Sequence, residues 1–230
     1  MYTNSPKLIK NYISEFGISH WDEDYIMKTD GDKLCYISPY GRPITKVQTS
    51  TYTEFFNKYK KEDYYIFTKN IFGTSPPESD YRFQQTFQTE INIPKEIRES
   101  YDFKSTIFFA GNKGRGALPH KHTPALNILA TGKKRWFLFD ASSSNPMGER
   151  LQKYYYSAYP YKTNTTSSDW LDKEYSTSLK NYKDNGGKVY EFIQEAGDVI
   201  IIPNEWSHTV INLDDCLGIT LIEIPNGVYY

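Results

Sequence analysis

His120-Lys121-His122 puts two imidazoles at positions i and i+2. In a β-strand those positions project from one face. The chain has only four histidines, and a third, His208, closes Trp206-Ser207-His208 near the end of the sequence. Three neutral imidazoles from two distant strands could cap one side of a metal ion. The remaining positions would stay open to exogenous ligands, as they do in non-haem iron centres. Taken singly, each of these histidines is more often a surface residue or a hydrogen-bonded core residue than a ligand. Their order, and the turns that bound them, favour the metal. His20, in Ser19-His20-Trp21-Asp22, is read as a surface or cap residue.

A second group carries charge. Residues 125–130 and 134–139 are apolar runs joined through Thr131-Gly132, which predicts a tight hairpin. A two-residue turn there sets Ala130 opposite Lys133 and Leu129 opposite Lys134. Alternation then places Lys134 on the face of Asn127, continued by Trp136 and Leu138, with Lys133, Arg135 and Phe137 on the other face. A lysine beside tryptophan and leucine on an inward face is costly unless an anion pairs with it. A small dicarboxylate would do so through charge-assisted hydrogen bonds. The plainer alternative is that Lys133-Lys134-Arg135 forms a solvated edge.

The elements that must position these residues divide the chain. Residues 7–16 and 53–60 read as short helices, residues 34–37 and 64–67 as strands, and residues 90–99 as a short element around Pro94. Gly73-Thr74-Ser75-Pro76-Pro77 reads as a loop. From about residue 104 the pattern turns to strands: 105–110, 125–130, 134–139, 188–194, 199–202, 209–213 and 218–224. Residues 142–148 read as a loop. Residues 154–184 read as a polar insertion with a helix near 168–179. No internal repeat is visible. The expectation is one domain over 1–230, with a mixed α/β N-terminal cap (1–104) on a β-sandwich or jelly-roll body (105–224).

Composition narrows the classes. A chain of 230 residues, 38% of them apolar, can bury a core in one domain. A net charge of −1 supplies no basic field, so no nucleic-acid partner is indicated. Cys35 and Cys216 form no Cys-x-x-Cys pair, which argues against a zinc ribbon or a thiol redox motif. Neither a signal peptide nor an 18-residue apolar run is seen, so the expectation is a cytoplasmic or nuclear protein with no membrane partner.

At this point residues 105–224 resemble the Jumonji-C domain, part of the cupin superfamily of iron(II)/2-oxoglutarate oxygenases. The likeness rests on two stretches. One is Ala125-Leu126-Asn127-Ile128-Leu129 through Gly132-Lys133-Lys134-Arg135-Trp136-Phe137-Leu138-Phe139. The other is Glu195-Ala196-Gly197-Asp198-Val199-Ile200-Ile201-Ile202-Pro203-Asn204-Glu205-Trp206-Ser207-His208, continued by Asn212-Leu213-Asp214 and Gly218-Ile219-Thr220. The small hydroxylase-like branch is the nearest in character.

The resemblance implies a double-stranded β-helix with iron(II) in its mouth. His120, His122 and His208 would be the ligands. Lys134 would bind the far carboxylate of 2-oxoglutarate, with Asn127 and Thr220 beside the co-substrate. It further implies hydroxylation of a protein or peptide side chain, lysine first and N-methyl demethylation second, with release of succinate and carbon dioxide. Two positions depart from the family pattern. His122 stands where most members carry an aspartate, and Ala117 stands where relatives often carry a threonine that helps hold 2-oxoglutarate. Two alternatives therefore remain: a catalytically silent binding or structural protein on the same fold, and a three-histidine cupin enzyme that does not use 2-oxoglutarate. Residues 154–179 could line a substrate groove or form a solvated excursion.

Overall fold

The computed structural model describes residues 3–39, 48–71, 85–120, 122–140, 167–172, 182–184, 186–204 and 206–223. In chain order the strands are β1 (Lys7–Ile9), β2 (Leu34–Ser38), β3 (Gln48–Thr51), β4 (Tyr65–Ile71), β5 (Phe103–Gly111), β6 (Gly116–His120), β7 (Ala125–Thr131), β8 (Lys133–Phe139), β9 (Val189–Glu195), β10 (Val199–Ile202), β11 (Ser207–Asn212) and β12 (Cys216–Glu223). They form an eight-stranded antiparallel sheet, β1-β10-β7-β12-β5-β4-β2-β3, and a four-stranded one, β6-β11-β8-β9. From β5 onward the chain crosses repeatedly between the two sheets. This is the winding of a double-stranded β-helix, or jelly roll.

The central strands of the large sheet, β10, β7, β12 and β5, are covered on both faces, which is why they read as largely apolar runs. All four residues of β10, Val199-Ile200-Ile201-Ile202, are buried. Alternate residues go opposite ways. Leu126, Ile128, Val199, Ile201, Ile219 and Leu221 pack under the N-terminal cap. Ala125, Ile200 and Ile202 instead meet Trp136, Leu138 and Val210 of the small sheet.

Two of the described helices of the cap are closed at their N-termini by a side chain. Helix α1 (Glu23–Asp30) is N-capped by Asp22, whose side chain accepts from the Tyr25 N–H. Helix α2 (Tyr52–Asn57) is N-capped by Thr51, whose hydroxyl accepts from the Glu54 N–H at 3.1 Å. Phe108 of β5 ties cap to sheet, with ring centroids 5.0 Å from Phe87, 5.4 Å from Tyr52 and 6.5 Å from Trp21.

Two expectations are corrected. β7 and β8 are not a hairpin: β7 pairs with β10 and β12, and β8 pairs with β11 and β9. Both edges of each strand are already taken, so the turn at Gly132 carries the chain from one sheet to the other. Gly132 has φ +88°, and a Cβ there would lie 2.1 Å from the Asp215 carbonyl oxygen. The turn is closed by the loop between β11 and β12. Residues 7–16 are not a helix either. They form β1 and then a 3₁₀ turn, Ile13–Phe16. The open edge of β10 offers ladder partners to Lys7, Leu8 and Ile9. Lys10 then pins the segment by an ion pair of 2.7 Å to Asp198, whose side chain is 1% exposed.

The loops expected at 73–77 and 142–148 lie outside the described residues. No helix among the described residues is long and apolar enough to cross a membrane.

Phe108→Ala should cost about 3–5 kcal/mol, because it empties the aromatic seam between cap and sheet. Equilibrium denaturation of parent and variant measures this, and a cost under about 1 kcal/mol would contradict the assigned packing.

Candidate functional site

The small sheet presents its inward face in layers. Across β9, β8 and β11, Gln194, Lys134 and Asn212 lie in one row, Phe192, Trp136 and Val210 in the next, and Tyr190, Leu138 and His208 in a third. His208 is 2% exposed. Its strand, β11, is also paired with β6, which is the edge of the sheet.

A bulge in that pairing brings the second histidine round. His208 faces His120 and Val210 faces Ala117, so two steps on β11 answer three on β6. Ala117 points into the barrel beside Val210 and Trp136. Plain alternation would turn His120, three residues later, outward. The extra residue restores it to the inner face, as bulges beside functional sites commonly do. Pro119 lies within this irregular stretch, and an edge strand tolerates its missing N–H. His122 follows just past the end of β6.

The three rings gather with centroids 4.2 to 5.3 Å apart. Their nearest ligand atoms all lie within 4.8 Å of one another, and no carboxylate or thiol among the described residues joins the group. Each Nδ1 lies against a backbone carbonyl: Leu118 O at 2.7 Å for His120, Thr123 O at 2.6 Å for His122, and Trp206 O at 2.9 Å for His208. A carbonyl can only accept, so each Nδ1 carries the proton and donates. A neutral ring then keeps its lone pair on Nε2, the state a metal requires. The donor set suits a divalent transition metal and brings no charge to offset it.

Lys134 lies deeper, 1% exposed. Its Nζ sits 3.5 Å above the centroid of Phe109, a residue of the opposite sheet. Burial lowers its pKa to about 8. No carboxylate among the described residues pairs with it, so an anion from outside fits the cation. Asn127 and Thr220 face the barrel from the large sheet, directly opposite each other on β7 and β12. The Asn127 amide donates to the Thr220 hydroxyl at 2.7 Å, and the Asn127 Oδ1 has no partner although it is buried. Because a hydroxyl both donates and accepts, this amide can turn and offer its N–H₂ to a ligand carboxylate. Lys134 reaches Phe109 rather than this pair, so the two halves of the expected anion site face each other across the barrel.

Several residues were not foreseen. Gln194, fully buried, accepts from the Trp136 indole at 2.7 Å and donates to the Asn127 and Asp198 carbonyls at 3.0 and 3.1 Å. It fastens the two sheets together beside Lys134. Phe109 and Asn212 were also missed, because both come from strands distant in sequence. Only Pro119 left a readable sign, a proline inside an otherwise apolar strand. Residues 167–172 of the insertion lie on the far side of the small sheet: Leu171 packs with Tyr182 on Phe137, Phe139 and Ile211. The rest of the stretch considered for a substrate groove lies outside the described residues. His20 is half-exposed beside Glu90, remote from the other three histidines, as expected of a cap residue.

The lowered lysine pKa sets a pH dependence. Unfolded, Lys134 keeps its proton to about its ordinary value of 10.5; folded, it holds it only to about 8. Between these values the unfolded chain binds more protons, so this group's contribution to stability rises with pH. Lys134→Met removes the penalty. In metal-free protein the variant should exceed the parent by about 3 kcal/mol more at pH 7 than at pH 10.5. Denaturation across that range tests it, and a pH-independent difference would show that the ammonium is not buried.

Residues 119–221 match the family described as JmjC domain, hydroxylase. All six residues singled out above, His120, His122, Asn127, Lys134, His208 and Thr220, fall in that span. Over most of its length the chain is similar to three larger proteins. It is 26% identical to the arginine-specific demethylase JMJ22 of Arabidopsis thaliana, covering 94% of this chain and 41% of that protein. It is 26% identical to tRNA wybutosine-synthesizing protein 5 of Mus musculus, covering 92% of this chain and 69% of that one. It is 24% identical to the 2-oxoglutarate and iron-dependent oxygenase JMJD4 of Homo sapiens, covering 86% of this chain and 48% of that one. The chain thus spans under half the length of two of these relatives. With its two-sheet jelly roll and its inward three-histidine cluster, the chain is similar to the JmjC domain family over residues 119–221.

Proposed function

We propose that this chain is an iron(II)- and 2-oxoglutarate-dependent oxygenase that hydroxylates a protein side chain, lysine first, releasing succinate and carbon dioxide. The observation that carries the reading is Lys134, a buried ammonium without a carboxylate among the described residues, in the same barrel as three clustered imidazoles whose Nδ1 atoms are each turned to a backbone carbonyl. The relative named as a 2-oxoglutarate and iron-dependent oxygenase supports the same cofactor pair. The relative named as an arginine-specific demethylase keeps N-methyl demethylation as the second reaction. The wybutosine relative makes tRNA the competing substrate, against which the chain's net charge of −1 argues.

His120, His122 and His208 would hold iron(II) through Nε2, each oriented by the carbonyl at its Nδ1. Bound iron(II) would supply oxygen activation coupled to oxidative decarboxylation of 2-oxoglutarate. Lys134 would anchor the far carboxylate, and Phe109 holds its ammonium in the barrel. Asn127 and Thr220 would orient the co-substrate from the other sheet. Trp136, Leu138, Ile200 and Ile202 keep the surrounding wall apolar, which strengthens every polar contact made inside it.

A second reading, a barrel that binds metal and dicarboxylate without turnover, is favoured by Ala117. This residue faces the interior with only a methyl group where relatives often place a hydroxyl. The three-histidine enzyme without 2-oxoglutarate leaves Lys134 unexplained.

Anaerobic addition of iron(II) and 2-oxoglutarate should give the weak visible charge-transfer band of the chelate. Lys134→Ala should weaken 2-oxoglutarate binding roughly 10- to 100-fold, the worth of a hydrogen-bonded charge, and leave metal binding intact. His208→Ala should lose the metal. No band despite bound metal would sink the co-substrate assignment. A band without succinate formation on peptide or tRNA would select the silent barrel.

A further inference from the structure

The barrel holds one more unsatisfied polar atom, the Oδ1 of Asn212, buried and without a hydrogen-bond partner. Asn212 is 1% exposed and lies directly opposite Lys134 on the neighbouring strand, so the two side chains share the inward face. Their backbones are clasped together: the N–H of Leu213 donates to the Lys133 carbonyl at 2.7 Å. Both side chains also cross toward β5. The Lys134 ammonium rests on Phe109, and the Asn212 Nδ2 donates to the carbonyls of Gly111 at 3.1 Å and Asn112 at 3.2 Å.

Those two carbonyls settle the amide's orientation. Each can only accept, so the N–H₂ end must point at them, and Oδ1 must be the end turned away. Asn127 differs, because its partner is a hydroxyl that accepts either orientation. The Asn212 oxygen is therefore a fixed acceptor in need of a donor. A dicarboxylate in the barrel cannot help it, since carboxylate and amide oxygens both only accept. The buried side chain with hydrogens to spare in that row is Lys134, with three on a flexible stem. Gln194, the other member of the row, already donates to two carbonyls.

We propose that Asn212 is a positioning residue for the Lys134 ammonium. Its Oδ1 takes one ammonium proton, directly or through one water, and turns the other two toward the anion the barrel binds. The consequence for 2-oxoglutarate rests on the function proposed above; the pairing of Asn212 with Lys134 does not. The titratable groups packed around the ammonium are the Cys216 thiol on β12 and, behind Phe109, the Tyr65 hydroxyl on β4. Burial pushes both upward, so both are neutral where Lys134 titrates.

The test follows the ¹³Cε shift of Lys134 against pH in metal-free protein, assigned by its loss in Lys134→Arg. Asn212→Leu removes the acceptor and should lower the midpoint by about one pH unit, tenfold in the protonation equilibrium. Asn212→Asp replaces the acceptor with a carboxylate and should raise the midpoint. Opposite shifts are the signature of a direct partner, whereas a merely structural role moves both variants the same way. Where Asn212→Leu fails to fold, the sign from Asn212→Asp decides. Midpoints unmoved, or moved together, overturn the proposal.

In manganese(II)-loaded protein without oxygen, Asn212→Leu should then bind 2-oxoglutarate about tenfold more weakly at pH 7.5. Split midpoints with no binding of 2-oxoglutarate by the parent would leave the positioning role standing and remove the dicarboxylate reading. Binding by the parent with unsplit midpoints would do the reverse.

Discussion

The structure depends on one sheet being buried on both faces. The strands β10, β7, β12 and β5 of the large sheet must satisfy the cap on one side and the barrel on the other, with side chains alternating between them. On β7, Leu126 and Ile128 serve the cap, while Ala125 and Asn127 serve the barrel. On β12, Ile219 and Leu221 go up and Thr220 goes down. The aromatic seam around Phe108 thus fixes more than stability. By holding the outer face of β5 against the cap, it sets the opposite face, and with it Phe109 beneath the lysine.

Inside the barrel the electrostatics are unusually one-sided. Three imidazoles are oriented by backbone carbonyls at their Nδ1 atoms, one lysine is held in an apolar wall, and among the described residues no carboxylate joins either. A divalent metal would add to the positive charge already there. Such an interior is costly to the protein by itself and would favour an anion supplied from outside. The cluster itself is all imidazole, so these three side chains would bring no negative charge to a metal held there.

Much of this was legible in the chain. The apolar runs and turn residues placed most strands within a residue or two, because a strand buried on both faces leaves a run that few other structures produce. The motifs around Asn127, Lys134 and His208 pointed to the JmjC fold. Pairing was less legible. Thr131-Gly132 has the form of a hairpin turn, yet β7 and β8 lie in different sheets, since period-2 patterning says which face a residue takes but not which strand lies beside it. Residues 7–16 carry a helical pattern that the free edge of β10 overrides.

The sequence by itself determined which residues are available for chemistry: the four histidines, one of them at position 122, and the lysine beside tryptophan and leucine. It also determined the alternation that sends Lys134, Trp136 and Leu138 inward together. Only the tertiary structure decided which of those groups meet. The bulge opposite Thr209 turns His120 back to the face of His208, and three separate backbone carbonyls choose the tautomer of the rings. Phe109, Gln194 and Asn212 reach the lysine and its row from β5, β9 and β11. The physical reason is the same in each case. Side-chain direction is a local property of the backbone, whereas register, bulges and the partners of a buried polar atom are set by strands far apart in the chain.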